Sequence, residues 1–219
     1  MLKDRLRQVE ARIEKAVVSA GRRREDITLV AITKVFPAAA IREAYEAGIR
    51  HFGENYVQEF ETKAPEIADL AEATFHFVGH LQSNKARRAA ELFQIIQTVD
   101  SGKIARKISD IGSVREVMLE VKLSPERAKS GAEPEELPAL VEAVRACPNL
   151  RLTGLMTMPP WSEEPEESRP YFQRLRGLAE GLGLKCLSMG MSYDLEVAVE
   201  EGSTHLRIGT ALFGPRRRA

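Results

Sequence analysis

The chain has 219 residues, enough to bury one substantial core as a single α/β barrel or as two small domains. Its 32 basic and 32 acidic residues cancel, which argues against a binder of nucleic acid or another polyanion, and the local cluster Arg22-Arg23-Arg24 reads as a solvated loop. Cys147 and Cys186 lie far apart in sequence and match neither metal-ligand nor redox spacing. With a charged amphipathic start in place of a signal peptide and no apolar run of membrane-spanning length, this points to a soluble cytoplasmic protein that does not engage a membrane.

Leu2, Leu6, Val9, Ile13 and Val17 recur at three- and four-residue intervals and predict an N-terminal helix that Gly21 ends. Residues 29–34 then read as a buried parallel strand with its only charge, Lys34, as the last residue. Pro37 opens a helix whose face is Ile41, Ala44 and Tyr45 and which Gly48 closes, and residues 49–53 form a second strand. The same alternation continues: helix 57–70, strand 74–78, helix 85–92, strand 95–99, helix 103–111, strand 114–121, helix 137–146 and strand 150–156. Helix 171–182, strand 185–188, helix 193–201 and strand 204–208 complete it. Eight strands alternating with helices predict a (β/α)8 TIM barrel, a single domain over residues 1–219 with an extra N-terminal helix. An open doubly wound sheet is the alternative. Residues 124–134 and 159–170 follow strands and should lie over the ligand-binding face.

In a barrel, the polar residues just after the strands carry function. Lys34, at the carboxyl end of the first strand, can point into the mouth as a nucleophilic amine, or it can merely snorkel to solvent. The loops after strands seven and eight are the usual phosphate site. There, Ser192 reads as a helix N-cap, Gly209 permits close backbone approach and Thr210 adds a donor. A phosphate cradle and a strand-end amine suit a ligand with both a phosphate and an aldehyde. Pyridoxal phosphate is one such ligand, and a sugar phosphate held by an aldolase is another.

The motifs Ala31-Ile32-Thr33-Lys34, Phe52-Gly53-Glu54-Asn55-Tyr56, His76-Phe77-Val78-Gly79-His80-Leu81-Gln82-Ser83-Asn84-Lys85, Gly154-Leu155-Met156-Thr157-Met158-Pro159-Pro160, Ser188-Met189-Gly190-Met191-Ser192-Tyr193-Asp194 and Gly202-Ser203-Thr204-His205-Leu206-Arg207-Ile208-Gly209-Thr210 strongly resemble the pyridoxal phosphate homeostasis protein family. The resemblance runs from about Ile27 to Gly214. That family is similar to the barrel domain of alanine racemase standing alone. The resemblance implies a protein that binds pyridoxal 5'-phosphate and takes part in vitamin B6 homeostasis. Lys34 would hold the cofactor as a Schiff base, with Asn55 near it, Arg207 facing the pyridine nitrogen, and Ser192, Gly209 and Thr210 on the phosphate. It implies no established catalytic activity. Alanine racemase takes its second base, a tyrosine, from a separate β-domain of the partner subunit. The chain ends at Ala219 without such a domain, so productive racemisation is not expected.

A PLP-dependent racemase or decarboxylase with weak activity is the alternative, and enzymes lacking the cofactor are the implied recipients. A monomer is expected, since the barrel is complete in one chain. Arg207 has donors only, so it should stay charged and leave the ring nitrogen unprotonated. His76 and His80 alternate onto one side of a strand, yet no carboxylate or thiolate completes a metal site, so hydrogen bonding is the expected role. Glu54 reads as ordering the loop around Asn55 rather than as a general acid. Met156, Met158, Met189 and Met191 flank the mouth as ring contacts or as core packing. The tail Arg216-Arg217-Arg218 and Lys129 are expected near the mouth, where their charge would attract an anionic ligand.

Overall fold

A computed structural model of the protein describes residues 1–124, 126 and 130–215. Eight parallel strands follow one another in chain order and close into a barrel: β1 (Thr28–Ile32), β2 (His51–Glu54), β3 (Thr74–Phe77), β4 (Ile95–Val99), β5 (Arg115–Glu120), β6 (Leu150–Met156), β7 (Cys186–Ser188) and β8 (His205–Ile208). Closure is made by β8 on β1, with Leu206 opposite Leu29 and Arg207 opposite Val30. The predicted TIM barrel is therefore the observed fold, and the open sheet is excluded. The helices are α1 (Leu2–Ser19), α2 (Ala38–Glu46), α3 (Val57–Lys63), α4 (Ala86–Leu92), α5 (Gly102–Ser109), α6 (Leu137–Arg145), α7 (Arg169–Gly181), α8 (Leu195–Glu200) and the single turn α9 (Thr210–Phe213). No helix among the described residues is long and apolar enough to cross a membrane.

The hydrophobic core lies between the barrel and its helices. Alternate strand residues such as Phe52, Val117, Leu119, Leu206 and Ile208 face out and pack against Ile41, Phe60, Ile104, Val141 and Phe172. The residues between them, His76, Gln97, Ser188 and Arg207 among them, are buried on the other side of the sheet. The N-terminal helix α1 buries Leu2, Val9, Ile13, Ala16 and Val17. It is tied down by Arg12, which donates to both carboxylate oxygens of Glu196 and to the Ser192 carbonyl. The arginine cluster is not a solvated loop. Arg22 donates to the Val199 carbonyl, Arg23 pairs with Asp26, and Arg24 pairs with Glu10.

Several elements end earlier than the sequence pattern implied, α5 at Ser109 among them, and two of them have a plain local cause. β1 stops at Ile32 rather than at Lys34, because the chain turns from Thr33: the Phe36 N–H donates to the Thr33 carbonyl at 3.1 Å, with Lys34 and a left-handed Val35, φ 64°, inside the turn. The helix expected over residues 57–70 stops at Lys63 and tightens into a 3-10 turn, Ala64–Ile67, where Pro65 lacks the N–H an α-helix needs.

Candidate functional site

Lys34 sits two residues beyond β1, in a turn held from both sides. Thr33 donates its backbone N–H to the Gly53 carbonyl at 3.0 Å and its hydroxyl to Glu54 Oε1 at 2.8 Å. Lys63 Nζ donates to the Thr33 carbonyl at 3.0 Å and pairs with Glu54 at 2.9 Å and Glu59 at 2.5 Å. Glu59 also accepts the Val35 N–H at 2.6 Å. Glu54 thus clamps the turn that carries Lys34, and among the described residues its carboxylate bonds Thr33 and Lys63 rather than Asn55. Burial pushes its carboxyl above the usual range, against the pull of Lys63 and Thr33. A β-branched residue at positive φ costs on the order of 1–3 kcal/mol, and the Glu59 contact helps to hold Val35 there.

Asn55 follows β2, where the turn after β3 presses on it. A Cβ at Gly79 would lie 2.1 Å from the Asn55 carbonyl oxygen, so any larger residue there must displace the Asn55 backbone. On the far side of the barrel Ser192 is not an N-cap. The cap position of α8 belongs to Asp194, whose carboxylate accepts from the Met191 N–H at 2.6 Å and the Ser168 hydroxyl at 2.9 Å. The Ser192 hydroxyl instead accepts the Ala211 N–H at 3.1 Å and so ties the turn after β7 to the turn after β8. At Gly209 a Cβ would meet Ile32 only at 3.5 Å, an ordinary contact. The protein's own packing does not demand glycine there.

Arg207 is buried in β8. Its Nη1 donates to the Ser188 hydroxyl at 2.7 Å and its Nη2 to the Thr157 carbonyl at 2.9 Å. Burial pulls its pKa down to about 10, opposed by the fields of Asp194 and Glu120, so it is charged at neutral pH. Glu120, at the end of β5, is a buried acid pushed up to about 7 by desolvation and by Asp100, and its Oε2 has no hydrogen-bond partner among the described residues.

A cavity of about 270 Å³ opens at the carboxyl end of the strands, and Lys34, Asn55, Ser192, Arg207, Gly209 and Thr210 all line it. Ile32, Phe36, Val78, Met158 and Met191 supply apolar wall, while Met156 and Met189 are core residues. Residues 159–170 contribute Pro160, Trp161, Ser162, Pro165 and Ser168 to the rim, as their position after a strand implied. Ser124 and Ser130, from the other long connection, line an adjoining cavity that shares Met158, Trp161 and Met191.

Sequence reasoning missed exposed Trp161 and Tyr193 on the rim, and also Ser188 and Thr157, which hold Arg207. The last two had a signal, since both fall at strand ends in motifs already singled out. His76 and His80 do not share a site. His76 is buried against His51 and Gln97, whereas His80 lies past the strand end and contacts the Ser130 hydroxyl. Lys129 and Arg216 to Arg218 lie outside the described residues.

Residues 7–217 match the model of the alanine racemase N-terminal domain family. The chain is 49% identical over 219 residues to the pyridoxal phosphate homeostasis protein of Pseudomonas aeruginosa, covering 97% of this chain and 95% of that one. It is 43% identical over 225 residues to that of Escherichia coli, covering 96% and 95%. PipY of Synechococcus elongatus, solved with PLP bound, superposes with a TM-score of 0.82 at 40% identity over 92% of this chain and all of that one. Alanine racemase from Bacillus anthracis shares the fold, with a TM-score of 0.67 at 17% identity over 96% of this chain and 57% of that one. Near-complete coverage at such identity makes this chain a member of the pyridoxal phosphate homeostasis protein family.

Proposed function

We propose that the chain binds pyridoxal 5'-phosphate in the barrel-mouth cavity and serves cofactor homeostasis in the cytoplasm, storing it or passing it to enzymes that lack it. The observation that carries the proposal is the convergence of an amine, a buried guanidinium and the Ser192/Gly209/Thr210 edge on one small cavity. The residues fit the group. Gly209 is a glycine that the protein's own packing does not require, which leaves room for a phosphate to approach the backbone, with the hydroxyls of Ser192 and Thr210 beside it.

When bound, pyridoxal phosphate supplies an aldehyde that condenses with a lysine amine and a ring that withdraws electrons. Lys34 is the amine that would carry it, in a turn whose backbone is pinned on either side. Arg207 would face the ring nitrogen, and because a guanidinium only donates, that nitrogen would stay unprotonated and the ring a weak electron sink. Asn55 would lie beside Lys34, and the apolar walls would shield the ring from water.

The test is covalent. Borohydride treatment of the protein loaded with pyridoxal phosphate should fix a pyridoxyl mass on Lys34, and Lys34→Ala should lose it while remaining folded. A mass on another residue, or none, would sink the proposal, and retention of a sugar phosphate instead would favour an aldolase. A weak racemase or decarboxylase is the second reading, which exposed Tyr193 on the cavity rim favours as a second proton-bearing group. Saturable amino-acid turnover lost in both Lys34→Ala and Tyr193→Phe would establish it over the carrier.

A further inference from the structure

A chain of hydrogen bonds runs through the barrel from its floor to Arg207. His51 Nδ1 lies 3.0 Å from His76 Nε2, and His76 Nδ1 lies 2.9 Å from Gln97 Nε2. The Ser188 hydroxyl donates to Gln97 Oε1 at 2.6 Å and accepts from Arg207 Nη1 at 2.7 Å. Gln97 is on β4 and Ser188 on β7, strands that are not neighbours, so their bond crosses the lumen. His76, Gln97, Ser188 and Arg207 are all buried. Half-buried His51 lines a cavity at the opposite end of the barrel, beside Arg24, Thr28 and Arg50.

The polarity of this chain follows from one residue that has donors only. Arg207 must donate to Ser188, so the single hydroxyl proton of Ser188 goes to the Gln97 oxygen. The Gln97 amide group then turns its NH2 toward His76 Nδ1, which must accept. Burial beside His51 and His205 holds His76 neutral, so its one proton sits on Nε2 and is donated to His51 Nδ1. His51, also held toward its neutral form by burial, carries its proton on Nε2. Every bond points the same way, from the mouth to the floor.

We infer that His76, Gln97 and Ser188 are positioning residues for Arg207, a one-way hydrogen-bond chain that fixes the guanidinium where it meets the ligand. This rests on the reading that Arg207 faces a bound ring, but the chain itself belongs to the ligand-free protein. Its purpose is geometric. Of the two partners of the guanidinium, the Thr157 carbonyl is fixed by the backbone, whereas the Ser188 hydroxyl can rotate unless its own proton is committed, and the bond to Gln97 commits it.

Nitrogen-15 NMR of the ligand-free protein reads this directly. His76 and His51 should both be Nε2–H tautomers, and Gln97→Glu should invert them. A carboxylate at that position accepts from Ser188 and needs a donor from His76, which must then carry its proton on Nδ1, and His51 must donate in turn. The Arg207 side-chain resonances should shift in the same variant. Ser188→Ala cuts the chain without adding charge. It should leave His76 without a single fixed tautomer, and it covers the case in which Gln97→Glu does not fold. An Nδ1–H tautomer of His76 in the wild type, or Arg207 resonances unmoved in both variants, would overturn the inference.

The absorption maximum of bound pyridoxal phosphate should also move in Gln97→Glu. If it stays put in a protein that still traps the cofactor on Lys34, the positioning role fails and the binding role stands. If the wild type traps no cofactor, the binding role fails while the NMR result decides the chain on its own.

Discussion

Two cations are buried near the barrel mouth, Arg207 in the cavity wall and Lys63 behind it, and they are treated in opposite ways. Lys63, behind the turn that carries Lys34, is met by two carboxylates, Glu54 and Glu59. Arg207 hydrogen-bonds only neutral groups among the described residues, the Ser188 hydroxyl and the Thr157 carbonyl. Asp194 and Glu120 act on it through their fields alone. A buried charge costs several kcal/mol unless it is well compensated, and the depressed pKa of Arg207 is the sign of that cost. The difference supports the proposal that one charge is scaffold and the other is kept for a ligand. The charge of Lys63 is spent within the protein, whereas that of Arg207 remains able to act on whatever enters the cavity.

Removing the scaffold cation should break the first arrangement most severely. Lys63→Met leaves Glu54 buried with only the Thr33 hydroxyl, and one-sided loss of a buried pair costs roughly 3–5 kcal/mol. Urea denaturation should show a loss of that size, with much of it recovered in Lys63→Met/Glu54→Gln. A loss below about 1 kcal/mol, the range of an exposed pair, would demote the cluster to a surface interaction.

The second arrangement has a pH signature with two opposing signs. The folded chain keeps a proton on Glu120 up to about pH 7, whereas the unfolded chain releases it near 4.5, the ordinary value for a glutamate. Stability from this group therefore falls as pH rises through that window, by up to about 3 kcal/mol. His205, pulled down to about 4 by burial and by His51 and Arg207, acts in reverse. The unfolded chain takes up a proton near 6.5 that the folded chain refuses, so stability falls as pH drops from 6.5 to 4. In Glu120→Gln, melting temperatures measured from pH 4.5 to 8 should lose the decline toward pH 7 and retain the steep acid limb. An unaltered profile would mean that Glu120 is ionised throughout.

A smaller effect sharpens the comparison on the Lys34 side. Gly79→Ala places a methyl where the Asn55 carbonyl now sits, and accommodating it should cost roughly 1–3 kcal/mol. Cofactor affinity should fall while borohydride trapping at Lys34 persists, because Asn55 moves and Lys34 does not. Equal affinity would take Asn55 off the list of contacts. The smallest change is expected for Val35→Gly, where relief of the positive φ outweighs the extra freedom of the unfolded glycine by less than about 1 kcal/mol. Its thermal midpoint should rise slightly, and a clear fall would show that the Val35 side chain contributes packing that its exposure does not suggest.

Much of this architecture was legible in the sequence. The order of eight strands and their helices followed from apolar runs separated by helical periodicity, and the six residues named at strand ends line one cavity because parallel strands in a barrel deliver their carboxyl ends to a single rim. Boundaries were less legible where a single conformation intervened, as at Val35 and Pro65. The partner of the Ser192 hydroxyl was misread because a serine before a helix has the same local pattern whether it caps that helix or reaches across to the next turn.

The sequence alone thus determined which residues stand at the mouth, since alternation along a strand and position at its end are local properties of the chain. Tertiary structure alone decided which of them touch. Gln97 and Ser188 are 91 residues apart and meet only because the sheet closes. Lys63 reaches Glu54 and the Thr33 carbonyl only because α3 folds back beneath the turn after β1. Strand register and closure set such distances, and no hydrophobic pattern encodes them, because the pattern records which face of an element is buried and not what lies opposite it.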